Sequence, residues 1–379
     1  MSARKDLFSR ALAAAPGRLH MAAHSHHLWP DVTFQAHMQA WEDAVALADR
    51  KWDRALGEVY PAAQGLVARE LALPSPGSVV FAPNTHTLLM VLRSAIERRP
   101  ARVLASDGEF HSFRRQAARW AEAGDIELTL IPSEAEDFPA RFRTAAQEGA
   151  FDLIFVSHVF FKTGRVFGDV WDLASLSRPE GPWVVVDGYH GFRAVPTDLS
   201  GVADRLFYVA GGYKYAMAGE GAAFLHGPPG FGPRPELTGW YAEFGDLEGP
   251  PGGVGYSRDA GRFLGATFDP SGLYRFAAAG RMLEAEGLTT AKVAEHVAGL
   301  QRRLVEAQPL PDAELINPPD GRPHARFLAF RHPKAQAWKA ALMEKDVVVD
   351  VRDDVLRIGL SIYHDEADID RFREACRGL

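Results

Sequence analysis

Residues 207–227 read FYVAGGYKYAMAGEGAAFLHG. Lys214 stands there between two tyrosines, in a run otherwise built of glycine, alanine and apolar residues, and no acidic residue lies within five positions of it. Either Lys214 is a solvated loop lysine, or the fold buries it. Burial lowers an amine's pKa and makes it a nucleophile. The segments around it favour the second reading.

DRLFYVA (204–210) precedes the lysine, and ARVLAS (101–106), FDLIFVSHVFF (151–161) and PWVVVDGYH (182–190) share its texture of short apolar runs bounded by polar or turn residues. Such runs suit strands buried on both faces of a parallel sheet. Helical patterns lie between them, at HTLLMVLRSAIERR (86–99) and SFRRQAARWAEAGD (112–125). Alternating strands and helices predict an α/β fold with right-handed crossovers. Beyond about residue 275, two helical stretches, three strand-like ones and a closing helix predict a smaller α+β unit. The expected division is an N-terminal segment 1–45 at the mouth of the site, a large domain 46–274 with a mostly parallel central sheet, and a small C-terminal α+β domain 275–379. Segment 227–256 is rich in proline and glycine and predicts an ordered loop at a site.

Composition narrows the function. The 379 residues are 47% hydrophobic and 24% charged, with a net charge of −7, ordinary globular usage. An acidic balance argues against nucleic acid, which needs a basic face. No apolar run is long enough to span a membrane, and the apolar start is broken too early for a signal peptide. A cytoplasmic location is expected. The single cysteine, Cys376, allows no internal disulfide and no cysteine-based metal site. His20, His24, His26 and His27 invite a metal reading, but no carboxylate or cysteine accompanies them, so they are assigned to the mouth of the site and no metal is expected.

Ligands of open α/β sheets sit beyond the carboxyl ends of the strands. Asp187 falls where VVVD runs out, with His190 three residues on. VVFAPNTHTLLMVL (79–92) gives a strand, a turn, and a helix starting near Thr85, which is a candidate N-cap. A helix N-terminus binds phosphate. Three strand ends thus offer an anion cradle, a carboxylate and an amine. That set matches pyridoxal phosphate, which needs a lysine for its Schiff base, an acid opposite its ring nitrogen and a phosphate cup.

At this point GGYKYAMAGEGAAFLHG resembles the lysine segment of kynureninases, within the fold-type-I, class V aminotransferase-like group of pyridoxal phosphate enzymes. DGYH (187–190), HVFFKTGRVFGDV (158–170), MAAHSHHLWP (21–30) and VLRIGLSIYHDEADIDRF (355–372) resemble further segments of that family. The resemblance implies a fold-type-I transferase fold. It implies that Lys214 holds the cofactor and moves protons at Cα, that Asp187 pairs with the ring nitrogen, and that His190 helps to fix both. Asn84, Thr85 and His86 would hold the phosphate, Phe110 would stack on the ring, and Tyr213 would bond the phosphate and act as an acid. Trp240 would also contact the cofactor. Arg357, Ser25, His26 and Glu243 would meet the substrate, Arg357 by clamping its carboxylate.

Four positions depart from the kynureninase pattern: Met217, Phe113, Glu243 and Asp269. The expected activity is hydrolytic Cβ–Cγ cleavage of kynurenine or a related amino acid. A class V aminotransferase is the alternative, and a C–S lyase, a desulfurase or a non-catalytic binding protein ranks behind it. A homodimer is expected, with the aromatic loop 227–256 reaching the partner's site.

Overall fold

The computed structural model describes residues 1–246, 253–321 and 323–379. Its centre is a seven-stranded sheet. In spatial order the strands are Val79–Ala82, Ala223–His226, Leu206–Gly211, Trp183–Asp187, Leu153–Ser157, Ala101–Ser106 and Ile126–Ile131. All neighbours are parallel except Ala223–His226, which runs antiparallel to both of its partners. The exception has a local cause. A parallel return needs a crossover of roughly a dozen residues or more, and segment 212–222 is a tight turn without a helix. The chain therefore folds straight back, and Lys214 sits in the bend.

The four apolar runs of the sequence are the central strands, and almost every residue in them is buried. Edge strand Ile126–Ile131 is half-exposed instead, with Ile126 buried and Glu127, Thr129 and Leu130 exposed. Its weaker apolar signal is that of a one-sided strand. Helices cover both faces of the sheet and close two cores on it. One holds Phe81, Phe192, Phe224 and Phe276; the other holds Phe113, Phe155, Trp183 and Phe207.

A separate core lies in the C-terminal part, around a four-stranded antiparallel sheet containing Phe327–Arg331, Asp350–Arg352 and Val355–Gly359. The N-terminal segment is built into it. Leu19–His20 pairs in parallel with Val347–Val348, and Phe8, Met21 and Ala23 are buried there. Helix Ser271–Ala285 runs through the expected boundary at 274/275 and serves both units: Leu273, Phe276 and Ala277 enter the main core, whereas Met282 and Leu283 enter the C-terminal one. Truncating a buried phenylalanine such as Phe276 costs about 3–5 kcal/mol, so this helix ties the two units firmly together.

Candidate active site

Five strand ends meet on one side of the sheet around a cavity of about 520 Å³. Its lining includes Ser25, Asn84, Thr85, Phe110, Asp187, His190, Tyr213, Lys214 and Arg357, together with His86. Eleven of the thirteen anticipated residues are accounted for here, because His26, although outside the lining, sits beside it with its Nδ1 3.1 Å from the Tyr213 hydroxyl.

Lys214 is half-buried, with its Nζ 2.5 Å from His190 Nε2 and about 6 Å from the centroids of the Phe110 and Tyr189 rings (5.9 and 5.8 Å). Burial pushes the amine well below its ordinary 10.5, and the charge on Arg357 pushes the same way. His190 is also driven well down by burial, with the Lys214 and Arg357 charges adding to it, so the imidazole is neutral. The bend holding Lys214 is tight: Met217 N–H donates to the Lys214 carbonyl at 2.9 Å, and Met217 adopts φ +59°. A left-handed residue costs roughly 1–2 kcal/mol outside glycine and asparagine. Gly219, also left-handed at φ +69°, lies against Trp29, where a Cβ would come within 2.2 Å of the indole.

Asp187 ends its strand with one carboxylate oxygen accepting from the Tyr189 N–H at 2.9 Å. Burial raises its pKa to about 6. The next residue must be glycine, since a Cβ on Gly188 would meet the Tyr208 ring at 1.9 Å. At the strand end Ala82, the helix Thr85–Ser94 is capped by Asn84, whose side chain accepts from the Thr87 N–H at 2.9 Å. The cap is therefore Asn84 and not Thr85, which leaves the Thr85 hydroxyl free at the cavity with the first amides of the helix. Phe110 precedes the helix His111–Glu122 and stands edge-on to Phe161 at 5.3 Å.

Arg357 is buried at 2% exposure, yet it is not free. Asp350, its cross-strand neighbour, pairs with it, and the Phe161 carbonyl accepts from it. Burial lowers its pKa to about 10, which leaves it charged at neutral pH. Arg352, two residues along from Asp350, shares the same carboxylate at 2.8 Å and also lines the cavity. Two guanidinium groups around one carboxylate leave one positive charge for a ligand.

Trp240 and Glu243 do not line the cavity of this chain. Trp240 is 46% exposed and donates from Nε1 to Thr267 Oγ1 at 3.2 Å. Glu243 accepts from the Gly255 N–H at 3.1 Å. The loop they occupy is held by its own hydrogen bonds, and residues 247–252 of it lie outside the described residues. The other departures from the kynureninase pattern are also explained locally. Phe113 stacks on Phe155 at 3.8 Å, Met217 is buried in the C-terminal core, and Asp269 accepts from the N–H and hydroxyl of Ser271 at the start of a helix.

The four N-terminal histidines are engaged separately. His20 meets Tyr363, His27 meets Ser361, His24 stacks on Phe327, and His26 meets Tyr213. Sequence reasoning passed over Ser112, Ser157, Tyr189, Glu220 and Arg352, which line the cavity. It also passed over Glu109, which lies behind the cavity, bonded to Ser157. Arg352 was legible in principle, because it alternates with Asp350 on a strand and so shares its face.

An amine whose pKa burial lowers, a carboxyl at a strand end and a helix N-terminus form a donor set that fits pyridoxal phosphate. The fold is that of fold-type-I pyridoxal phosphate enzymes, and this set fits their cofactor. Residues 292–375 match the kynureninase C-terminal domain. The chain is 27% identical to isopenicillin N epimerase of Streptomyces clavuligerus, over 86% of this chain and 79% of that one. It is also 27% identical to kynureninase of Deinococcus radiodurans, over 94% and 84%. Among solved structures it is similar to the apo cysteine desulfurase of Thermococcus onnurineus NA1, with a TM-score of 0.80 and 19% identity over 100% of this chain and 99% of that one. The cystine C–S lyase C-DES aligns with a TM-score of 0.80 and 17% identity over 97% and 99%. These structural likenesses establish the fold. Among the described residues no helix is long and apolar enough to cross a membrane.

Proposed function

We propose that the enzyme is of the kynureninase type: it binds an amino acid with a γ-carbonyl and cleaves the Cβ–Cγ bond with water. With kynurenine the products are alanine and an aromatic acid. The observation that carries this reading is Arg357, which lines the cavity and lies in the stretch matching the kynureninase C-terminal domain. A desulfurase of the thiol type is disfavoured, because Cys376 is buried in the C-terminal core with its pKa pushed up to about 12, and it does not line the cavity.

Pyridoxal phosphate, when bound, supplies the aldehyde that captures the substrate amine and the ring that stores the electron pair left at Cα. The chain supplies position and protons. Thr85, His86 and the helix amides behind Asn84 bind the phosphate. Phe110 faces the ring, and Asp187 holds the proton on the ring nitrogen. The neutral Lys214 amine takes the proton from substrate Cα, and His190 orients that amine. Tyr213, backed by His26, donates at the phosphate side and can return a proton to the leaving carbon. Arg357 and Arg352 bind the substrate carboxylate, and Ser25 lies beside them in the lining. Arg357→Lys removes the planar fork. Losing one charge-assisted hydrogen bond of about 1.5–3 kcal/mol raises KM by roughly 10–100-fold, with kcat changed much less. Unchanged KM would place the carboxylate elsewhere.

The reading is tested with kynurenine, 3-hydroxykynurenine and a panel of other amino acids, with alanine, keto acid, sulfide and Cα inversion measured separately. Alanine release with an aromatic acid is expected. Keto acid without alanine points to the aminotransferase, and inversion alone to an epimerase.

The exposed Trp240 and Phe244 cluster with the buried Tyr241, the Trp240 ring centroid lying 4.4 Å from that of Tyr241 and 5.3 Å from that of Phe244. Exposed clusters of this kind mark interaction sites. In a two-fold dimer Trp240 reaches the partner's cofactor and Glu243 its substrate. Trp240→Ala then weakens substrate binding and dimerisation together. Mixing Lys214→Ala with Trp240→Ala subunits restores part of the activity, because one hybrid site holds both native residues. A fully active monomer in dilute solution overturns this assembly.

A further inference from the structure

Glu109 is fully buried, and no cation neutralises it among the described residues. It follows strand Ala101–Ser106 and immediately precedes Phe110. Its loop is pinned from the other side, since Asp107 accepts from both the N–H and the hydroxyl of Ser133 at 2.8 Å. The Glu109 carboxyl meets the Ser106 hydroxyl, the Ser157 N–H at 3.2 Å and the Ser157 hydroxyl at 2.5 Å. Ser157 is the register partner of Asp187 on the neighbouring strand, and it lines the cavity. Ser157 thus bonds the carboxyl group behind the cavity and is the strand neighbour of the one at the cavity.

Two like charges so placed in a water-poor site disfavour one another, and burial disfavours both. The two are not equivalent. Asp187 faces a cavity that accepts a cationic ring, whereas Glu109 faces only serines. We infer that Glu109 is a positioning residue that keeps its proton, hands it in a hydrogen bond to Ser157, and so leaves Asp187 as the charged member of the pair. A neutral carboxyl must donate its own O–H to a serine oxygen. Given to Ser157, that bond frees the serine hydroxyl hydrogen for the cavity. An ionised Glu109 takes the serine hydrogen itself, and Ser157 then presents only lone pairs. Burial moves Glu109 up to about 8, and Asp187, the titratable group that bears on it, adds to the rise. The inference rests on the proposed pairing of Asp187 with the ring nitrogen only in its consequence for the cofactor; the proton on Glu109 is a property of the protein alone.

The sign follows from linkage. The folded-state value of Glu109, about 8, lies above its ordinary 4.5. The stability this proton contributes is complete below the lower value and is lost as pH rises to the upper one. In cofactor-free protein, wild type therefore loses several degrees of Tm relative to Glu109→Gln between about pH 5 and about pH 9. The infrared band of a protonated buried carboxyl is present in wild type at neutral pH and absent in Glu109→Gln. Asp187→Asn moves the step in Glu109 to lower pH, because the like charge is gone. With cofactor added, absorbance of the bound chromophore titrates on the alkaline side in wild type and not in Glu109→Gln, which keeps cofactor affinity within about threefold. Should Glu109→Gln fail to fold, Ser157→Ala shifts the same infrared band by removing its hydroxyl partner. Parallel melting curves, or a band unaffected by both variants, overturn the inference. Failure of wild type to take up cofactor overturns the site reading instead, so the two failures are distinct.

Discussion

Replacing Lys214 with alanine abolishes turnover and leaves the fold standing. Loss of a positioned acid–base group alone lowers rates by roughly 10²–10⁴-fold, and under the proposed function the same amine also holds the cofactor, which puts the loss at least at the upper end. The fold is spared for a local reason. Among the described residues Lys214 makes no ion pair; its polar side-chain contact is His190 at 2.5 Å, and its neighbours in the bend are small. The bend is held by backbone bonds, from Met217 N–H to the Lys214 carbonyl and from Ala218 N–H to the Gly212 carbonyl. Alanine keeps all of these. The variant should melt within a few degrees of wild type, bind cofactor reversibly, and lack the covalent adduct that borohydride fixes. Measurable wild-type turnover in Lys214→Ala would remove the amine from the chemistry.

What could be read from the chain was what is written locally. Uniformly apolar runs gave the central strands, and strand ends gave the positions of Asp187, Lys214 and the helix Thr85–Ser94, because each is set by a few neighbouring residues. Three things were not local. Strand Ile126–Ile131 is half-exposed and so carries little apolar signal. The cap fell to Asn84, since only its reach to the Thr87 N–H decides between it and Thr85. Partnerships between distant strands were invisible: that Asp350 neutralises Arg357, and that Glu109 stands behind Asp187, follow from sheet register. Trp240 and Glu243 were placed by likeness of sequence alone, and neither lines the cavity of this chain.

Asp187→Asn yields a protein that is more stable without cofactor and far less active with it. Burial places the folded-state value near 6, above the ordinary 3.8. A raised carboxyl contributes stability only while it holds its proton: fully below the lower value, and lost as pH rises through the upper one. At pH above about 6 the wild type therefore carries an uncompensated buried charge that the amide lacks. The cofactor-free variant should out-melt wild type there, and the two curves should converge below about pH 4. A binding partner reverses the balance. A protonated ring nitrogen compensates the Asp187 charge, and an amide cannot. Breaking a buried ion pair by removing one partner costs about 3–5 kcal/mol, or roughly 10²–10⁴-fold in rate. Under the proposed function, cofactor binding relieves at this strand end a charge that the cofactor-free protein bears at a cost. If wild type melts above Asp187→Asn at neutral pH without cofactor, or if the variant keeps near-normal turnover, then another group faces the ring and Asp187 is a structural residue at the end of its strand.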